Sequence, residues 1–103
     1  MSKVILDKLK SLLTEYTKSK DIERLGVLRY FLSAVKNKEI ELRPQGIELN
    51  DEHVFKVLKK QLKQLKESLE MYQKGGRAES VEKTKKEIEI LLEFAAMFPF
   101  PLE

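Results

Sequence analysis

Cysteine and tryptophan are absent from the 103 residues, and histidine occurs once. Without thiols the chain can form neither a disulfide nor a thiolate metal site, and a reducing cytoplasm is its expected setting. No run approaches the roughly 20 apolar residues that span a bilayer, so no membrane association is expected. The opening Val4-Ile5-Leu6 is broken at once by Asp7 and Lys8, which argues against a signal peptide. His53 stands beside Asp51 and Glu52 with no second histidine to complete a metal or acid–base site, so it reads as an ordinary exposed turn residue. Neither metal nor cofactor is expected.

Hydrophobic residues make up 42% of the chain and charged residues 36%, a composition suited to one helix-rich domain with a modest core. The net charge of +3 comes from 20 basic and 17 acidic side chains and is unevenly spread. Residues 53–74 carry Lys56, Lys59, Lys60, Lys63, Lys66 and Lys74 against only Glu67 and Glu70, whereas residues 44–52 carry no basic group. Positive charge concentrated in this way points to a polyanionic partner.

Apolar periodicity predicts an all-α, four-helix domain built on an antiparallel hairpin of two long helices. In the third helix Val54, Val57, Leu58, Leu62, Leu65, Leu69 and Tyr72 form one face, with Gln61 the polar interruption at its centre. In the fourth, Val81, Thr84, Ile88, Leu91, Leu92 and Ala95 form a second stripe. The turn between them, Gly75-Gly76-Arg77, has paired glycines expected to take the left-handed conformation that closes a helix. Upstream, residues 3–17 carry Ile5, Leu9, Leu12, Leu13 and Tyr16 at helical spacing, a lid on the later helices. A second helix over Ile22–Leu42, capped from the Lys18–Asp21 run, turns Leu25, Leu28, Phe31, Leu32 and Val35 to the core. Gly26 inside it costs about 1 kcal/mol relative to alanine, which implies a close helix crossing. Pro44 and Gly46 make Arg43–Leu49 a loop, Asn50 caps the third helix, and Phe98-Pro99-Phe100-Pro101 stops the fourth.

The fourth helix has a second apolar face, Ile90, Phe94 and Met97, continued by Phe98, Phe100 and Leu102. Three covers suggest themselves: the first two helices, a second copy, or a domain beyond the chain. With Phe98 these residues form the candidate protein-interaction surface. The terminal Leu102-Glu103 also reads as a cloning remnant.

Reactive constellations are hard to find. Glu87 with Glu89 and Glu39 with Glu41 are spaced i, i+2 and splay to different faces. Gly75-Gly76-Arg77 lacks the flanking strand and the Lys-Ser/Thr of a phosphate loop. The lysine arc of the third helix is more suggestive. Glu67 and Glu70 can neutralise Lys63 and Lys66 at i+4, which leaves Lys56, Lys59 and Lys60 unpaired and opposing the helix dipole. On the second helix Arg29, Ser33, Lys36 and Asn37 line up on one flank, a row suited to phosphate and sugar contacts or to helix–helix hydrogen bonds. Among the aromatics Tyr30 is the clear candidate for exposure, too few for sequence-specific stacking.

Leu28-Arg29, the run Leu32–Glu41, Leu49–Glu52, Lys63-Gln64, Lys66–Ser68, Gly76-Arg77, Val81–Lys83 and Glu87–Leu91 together resemble the amino-terminal part of the GatB/YqeY family over residues 1–97. The resemblance implies an all-helical domain related to the tail region of the GatB subunit of tRNA-dependent amidotransferase, a tRNA-contacting adaptor. In that enzyme the glutaminase and kinase-like sites lie elsewhere. Free-standing relatives carry a glutamine-dependent carbon–nitrogen ligase label through this kinship. Members usually continue into a second small helical domain, which would begin at the tail of residues 98–103.

Two functions are therefore expected. The first is a noncatalytic, cytoplasmic adaptor that binds tRNA or associates with amidotransferase subunits, with Arg29, Lys36, Asn37, Lys56, Lys59 and Lys60 on the nucleic acid. The alternative is a protein-interaction or self-association module working through Ile90, Phe94, Met97 and Phe98.

Overall fold

The computed structural model describes residues 3–102 and contains four helices and, among those residues, no strand. They are α1 (Val4–Ser19), α2 (Ile22–Leu42), α3 (Asp51–Lys74) and α4 (Ala78–Ala95), with a 3-10 turn at Arg43–Gln45. The all-α expectation holds, and α2 has the limits read from its capping signals.

Each boundary has a local cause. Lys20 ends α1 in the left-handed region (φ 59°). Asp21 then caps α2 by accepting from the Arg24 backbone N–H at 3.2 Å. At the start of α3 the Asn50 side chain accepts from the His53 N–H at 3.0 Å, while the Asn50 N–H donates to His53 Nδ1 at 3.1 Å. His53 thus closes a reciprocal cap, a more definite role than that of a solvated turn residue. Its neighbour Asp51 works at longer range. It accepts from the Ile5 and Leu6 backbone N–H groups at 3.1 and 3.3 Å. Lys3 gives α1 no side-chain cap, so a carboxylate at the start of α3 satisfies the exposed donors of α1 and meets the positive ends of two helices.

The turn between α3 and α4 departs from expectation in one respect. Gly75 is right-handed (φ −85°) and only Gly76 is left-handed (φ 67°). One positive-φ residue is enough, because the Arg77 N–H then reaches back to the Tyr72 carbonyl at 3.0 Å. The pair is antiparallel along its length: Phe55, near the start of α3, lies 5.1 Å from the Phe98 ring and 5.4 Å from Phe100, just beyond α4.

One apolar cluster unites all four helices, including Leu6 and Leu9 of α1, Leu28, Phe31 and Val35 of α2, Val54, Phe55, Leu58 and Leu62 of α3, and Ile90, Leu91, Phe94 and Ala95 of α4. Leu25 and Leu32, expected in the core, are half-buried, and Leu92 is exposed. Beyond Leu62 no α3 residue is buried, so the distal hairpin projects as a two-helix arm. The radius of gyration of 14.6 Å accordingly exceeds the ~13 Å of a compact chain this long. A clasp ties α2 to α4: Arg24 donates to both Glu93 oxygens at 2.8 and 2.6 Å and to Asp21 at 3.0 Å. Hydrogen bonds from Arg24 hold the Glu93 carboxyl below the usual carboxylate range.

Gly26 corrects an expectation. No helix crosses closely there, and a β-carbon added at this position meets nothing within 4 Å. With ordinary helical geometry and open space, Gly26→Ala is expected to stabilise the protein by about 0.5–1 kcal/mol, read as a higher urea midpoint at unchanged m. A destabilised variant would mean that the glycine serves the packing after all.

Candidate functional site

α2 and α3 run side by side without closing completely, and an open groove remains between them. It consists of two cavities of about 400 and 380 Å³ that share Tyr30, Gln61 and Gln64. Tyr30, Ala34 and Asn37 come from one face of α2, and Lys56, Lys60, Gln61 and Gln64 from the facing side of α3. Both rows follow from helical spacing, at i, i+4, i+7 on α2 and i, i+4, i+8 on α3. Val27, Leu65 and Leu91 provide an apolar floor toward the α4 side, with Ser68 and Glu87 at the far end.

The groove is electrically polarised. Lys56 and Lys60 are exposed at one end and, among the described residues, form no ion pair. Glu41, the carboxylate that lines the same cavity, is paired with Lys38 at 3.1 Å. Glu87 supplies negative charge only at the other end. Because α3 begins at Asp51, Lys56 lies beyond the first turn, where the dipole penalty expected for these lysines has largely faded.

The residues expected to contact nucleic acid do not form one patch. Asn37, Lys56 and Lys60 meet in the groove. Arg29 and Lys36 are exposed about 100–120° round α2 from Tyr30, on the other flank. Lys36 is also engaged by Glu39 at 3.4 Å. Lys59 turns away toward the aromatic tail, its Nζ 5.7 Å from the Phe55 ring centroid. A helical wheel gives each side chain an angle about its own axis but does not say which neighbour lies on which side. Of the three lysines that the sequence groups, Lys56 and Lys60 therefore line the groove, while Lys59 instead borders a neighbouring cavity that it shares with Lys56.

The expected protein-interaction surface is corrected more sharply. Ile90 and Phe94 are 1% exposed and Phe98 is 6% exposed, while Met97 is half-buried. The second apolar face of α4 is used internally: α2 packs on α4, and Phe98 folds against Phe55. Of the three covers weighed for this face, the chain's own helices supply it.

Sequence reasoning missed the roles of Gln61, Gln64 and Ser68. A signal for Gln61 existed, since an amide at the centre of an otherwise apolar stripe is an anomaly. Among the described residues no cluster of three or more histidine, aspartate or glutamate side chains is placed to hold a metal ion, and no helix is long and apolar enough to cross a membrane.

The sequence pattern of the Yqey-like protein family matches residues 6–99, a span that contains the whole groove. A curated relative, altered inheritance of mitochondria protein 41, mitochondrial, from Lachancea thermotolerans, is 34% identical over 85 residues. That alignment covers 82% of this chain and 44% of the relative, so the chain spans less than half of that protein's length.

Proposed function

Since the chain belongs to the Yqey-like protein family, we propose that it is a noncatalytic adaptor that binds tRNA along the α2–α3 groove and can present it to an amidotransferase. The observation that carries this reading is the pairing of Lys56 and Lys60, neither in an ion pair among the described residues, at one end of a groove that also presents the Asn37, Gln61 and Gln64 amides and the Tyr30 hydroxyl. Cations fix a polyanion by its phosphates, and neutral polar groups contact sugar and base edges. Arg29, Lys36 and Lys59, on adjoining faces, lie within reach of a ligand as large as tRNA. The cytoplasm is the proposed compartment. The mitochondrial name of the Lachancea relative makes an organelle the specific alternative, which cell fractionation would separate.

Filter binding to bulk tRNA across a salt series tests the reading. Each phosphate contact contributes about 0.7–0.9 to the slope of log affinity against log salt. Two groove lysines alone predict a slope of roughly −1.4 to −1.8, and all five cations up to about −4.5. Absence of binding at low salt would sink the proposal, and release of ammonia from glutamine by the chain with tRNA would overturn its noncatalytic part.

A further inference from the structure

Two residues break the local rules of their helices, Gly26 inside α2 and Gln61 in the apolar stripe of α3, and both line the same groove. Neither anomaly is explained by packing. No atom lies within 4 Å of where a Gly26 β-carbon would sit, so the glycine leaves the groove wall bare without admitting a neighbour. Gln61 is only 8% exposed, yet its side chain has no hydrogen-bond partner among the described residues, and no fully enclosed polar atom is left unpaired. Its amide is thus reachable from the groove alone. A largely buried amide without an internal partner takes its hydrogen bonds from water in the groove, which a ligand edge of matching donors and acceptors can displace. Sites where local consistency fails are where function is to be sought.

Tyr30 stands at the junction of the two cavities. Its side chain is 70% exposed, and among the described residues it is the only aromatic ring in that class. A planar ring beside unpaired amides, with two free lysines at one end, matches the three parts of a nucleotide. The flat base stacks on the ring, its edge meets amide donors and acceptors, and its phosphate meets the cations.

We propose that the groove is a subsite for one unpaired nucleotide of the bound RNA. The base lies on Tyr30 with its edge at Gln61 and Gln64, and the phosphate lies at Lys56 and Lys60. This rests on the RNA-binding reading above and narrows it from a duplex surface to a single-stranded element. The cavity volumes fall in the range of about 300–1,000 Å³ typical of small-ligand sites. Charge orients the occupant: the phosphate goes to the lysine end, and Glu87 repels it from the other. A partner helix is a poorer fit, because an amphipathic helix seeks a continuous apolar trough, whereas the apolar floor at Val27, Leu65 and Leu91 gives way to Asn37, Lys38, Glu41, Lys56 and Lys60 along the rest of the groove.

The test uses the full chain with an unstructured RNA oligomer of about ten nucleotides and a blunt RNA duplex of equal length. Tyr30→Leu is expected to weaken oligomer binding about 5- to 150-fold, the range of one lost base–aromatic stack, without changing the salt slope. Tyr30→Phe retains the affinity, and duplex binding is unaffected by either change. Because the chain has no tryptophan and three tyrosines, the difference in tyrosine emission between the two proteins isolates Tyr30: the oligomer quenches the wild type more than the Tyr30→Leu protein, which keeps only Tyr16 and Tyr72. Gln61→Leu also weakens oligomer binding while retaining the fold. The proposal is overturned if Tyr30→Leu binds the oligomer normally, if duplex binding falls equally, or if polyglutamate competes as well as RNA, which would mean the groove reads charge alone. A chain that binds tRNA with the expected salt slope yet ignores Tyr30 removes only this inference, whereas one that binds no RNA removes the adaptor reading as well.

Discussion

Phe94→Ala is expected to cost about 3–5 kcal/mol of folding free energy, a large share of the roughly 5–15 kcal/mol available to a domain of this size. Phe94 is 1% exposed and belongs to the cluster that joins all four helices. Removing the ring therefore loses its transfer free energy and leaves a cavity that rigid helices cannot fill. At about 4–8 °C per kcal/mol the melting temperature would fall by at least 12 °C or so, measured by circular dichroism. Should that variant fail to fold, Phe94→Leu gives a graded readout with an expected cost of about 1–2 kcal/mol. Leu92→Ala, at a position 37% exposed on the same helix, is expected to cost about 1 kcal/mol or less. The contrast decides between two roles for the second face of α4. If Phe94 instead anchored a partner, its loss would spare the melting curve and abolish an association visible by sedimentation. Near-equal melting of the Phe94 and Leu92 variants would contradict the internal role.

The same residue marks how far the sequence could be read. Periodicity correctly made Ile90 and Phe94 apolar positions on a face distinct from Leu91, because that depends only on helical geometry. It could not say that α2 would cover them, because assigning a partner to a face needs three-dimensional packing. The limits of α2 were legible from short-range chemistry, and so was the cap at Asn50. Contacts between residues far apart in the chain were not. Arg24 meets Glu93 across 69 positions, and Asp51 meets the start of α1 across 45 and 46. No spacing rule reaches that far. Gly26 and Gln61 were visible as two separate anomalies; that they share one groove is a property of how α2 lies beside α3.

Replacing both Lys56 and Lys60 with glutamine separates binding from folding. Losing two phosphate contacts should make the salt slope shallower by about 1.4–1.8. Referred to about 1 M salt, where such contacts contribute little, that corresponds to a roughly 50- to 200-fold weaker tRNA affinity near 50 mM salt. Stability should hold within about 0.5 kcal/mol, since both side chains are exposed and neither is in an ion pair among the described residues. Glutamine keeps the helix propensity and much of the aliphatic stem, so lost charge is the main change. Lys59→Gln is the informative control, because Lys59 does not line the groove and its ammonium lies by the Phe55 ring on the adjoining face of α3. On this geometry it should alter tRNA affinity much less than the double change does. A double variant that keeps the wild-type slope would place the phosphates elsewhere, for instance on the α1 lysines. The groove would then lose the charge that sets which end of a bound nucleotide enters it.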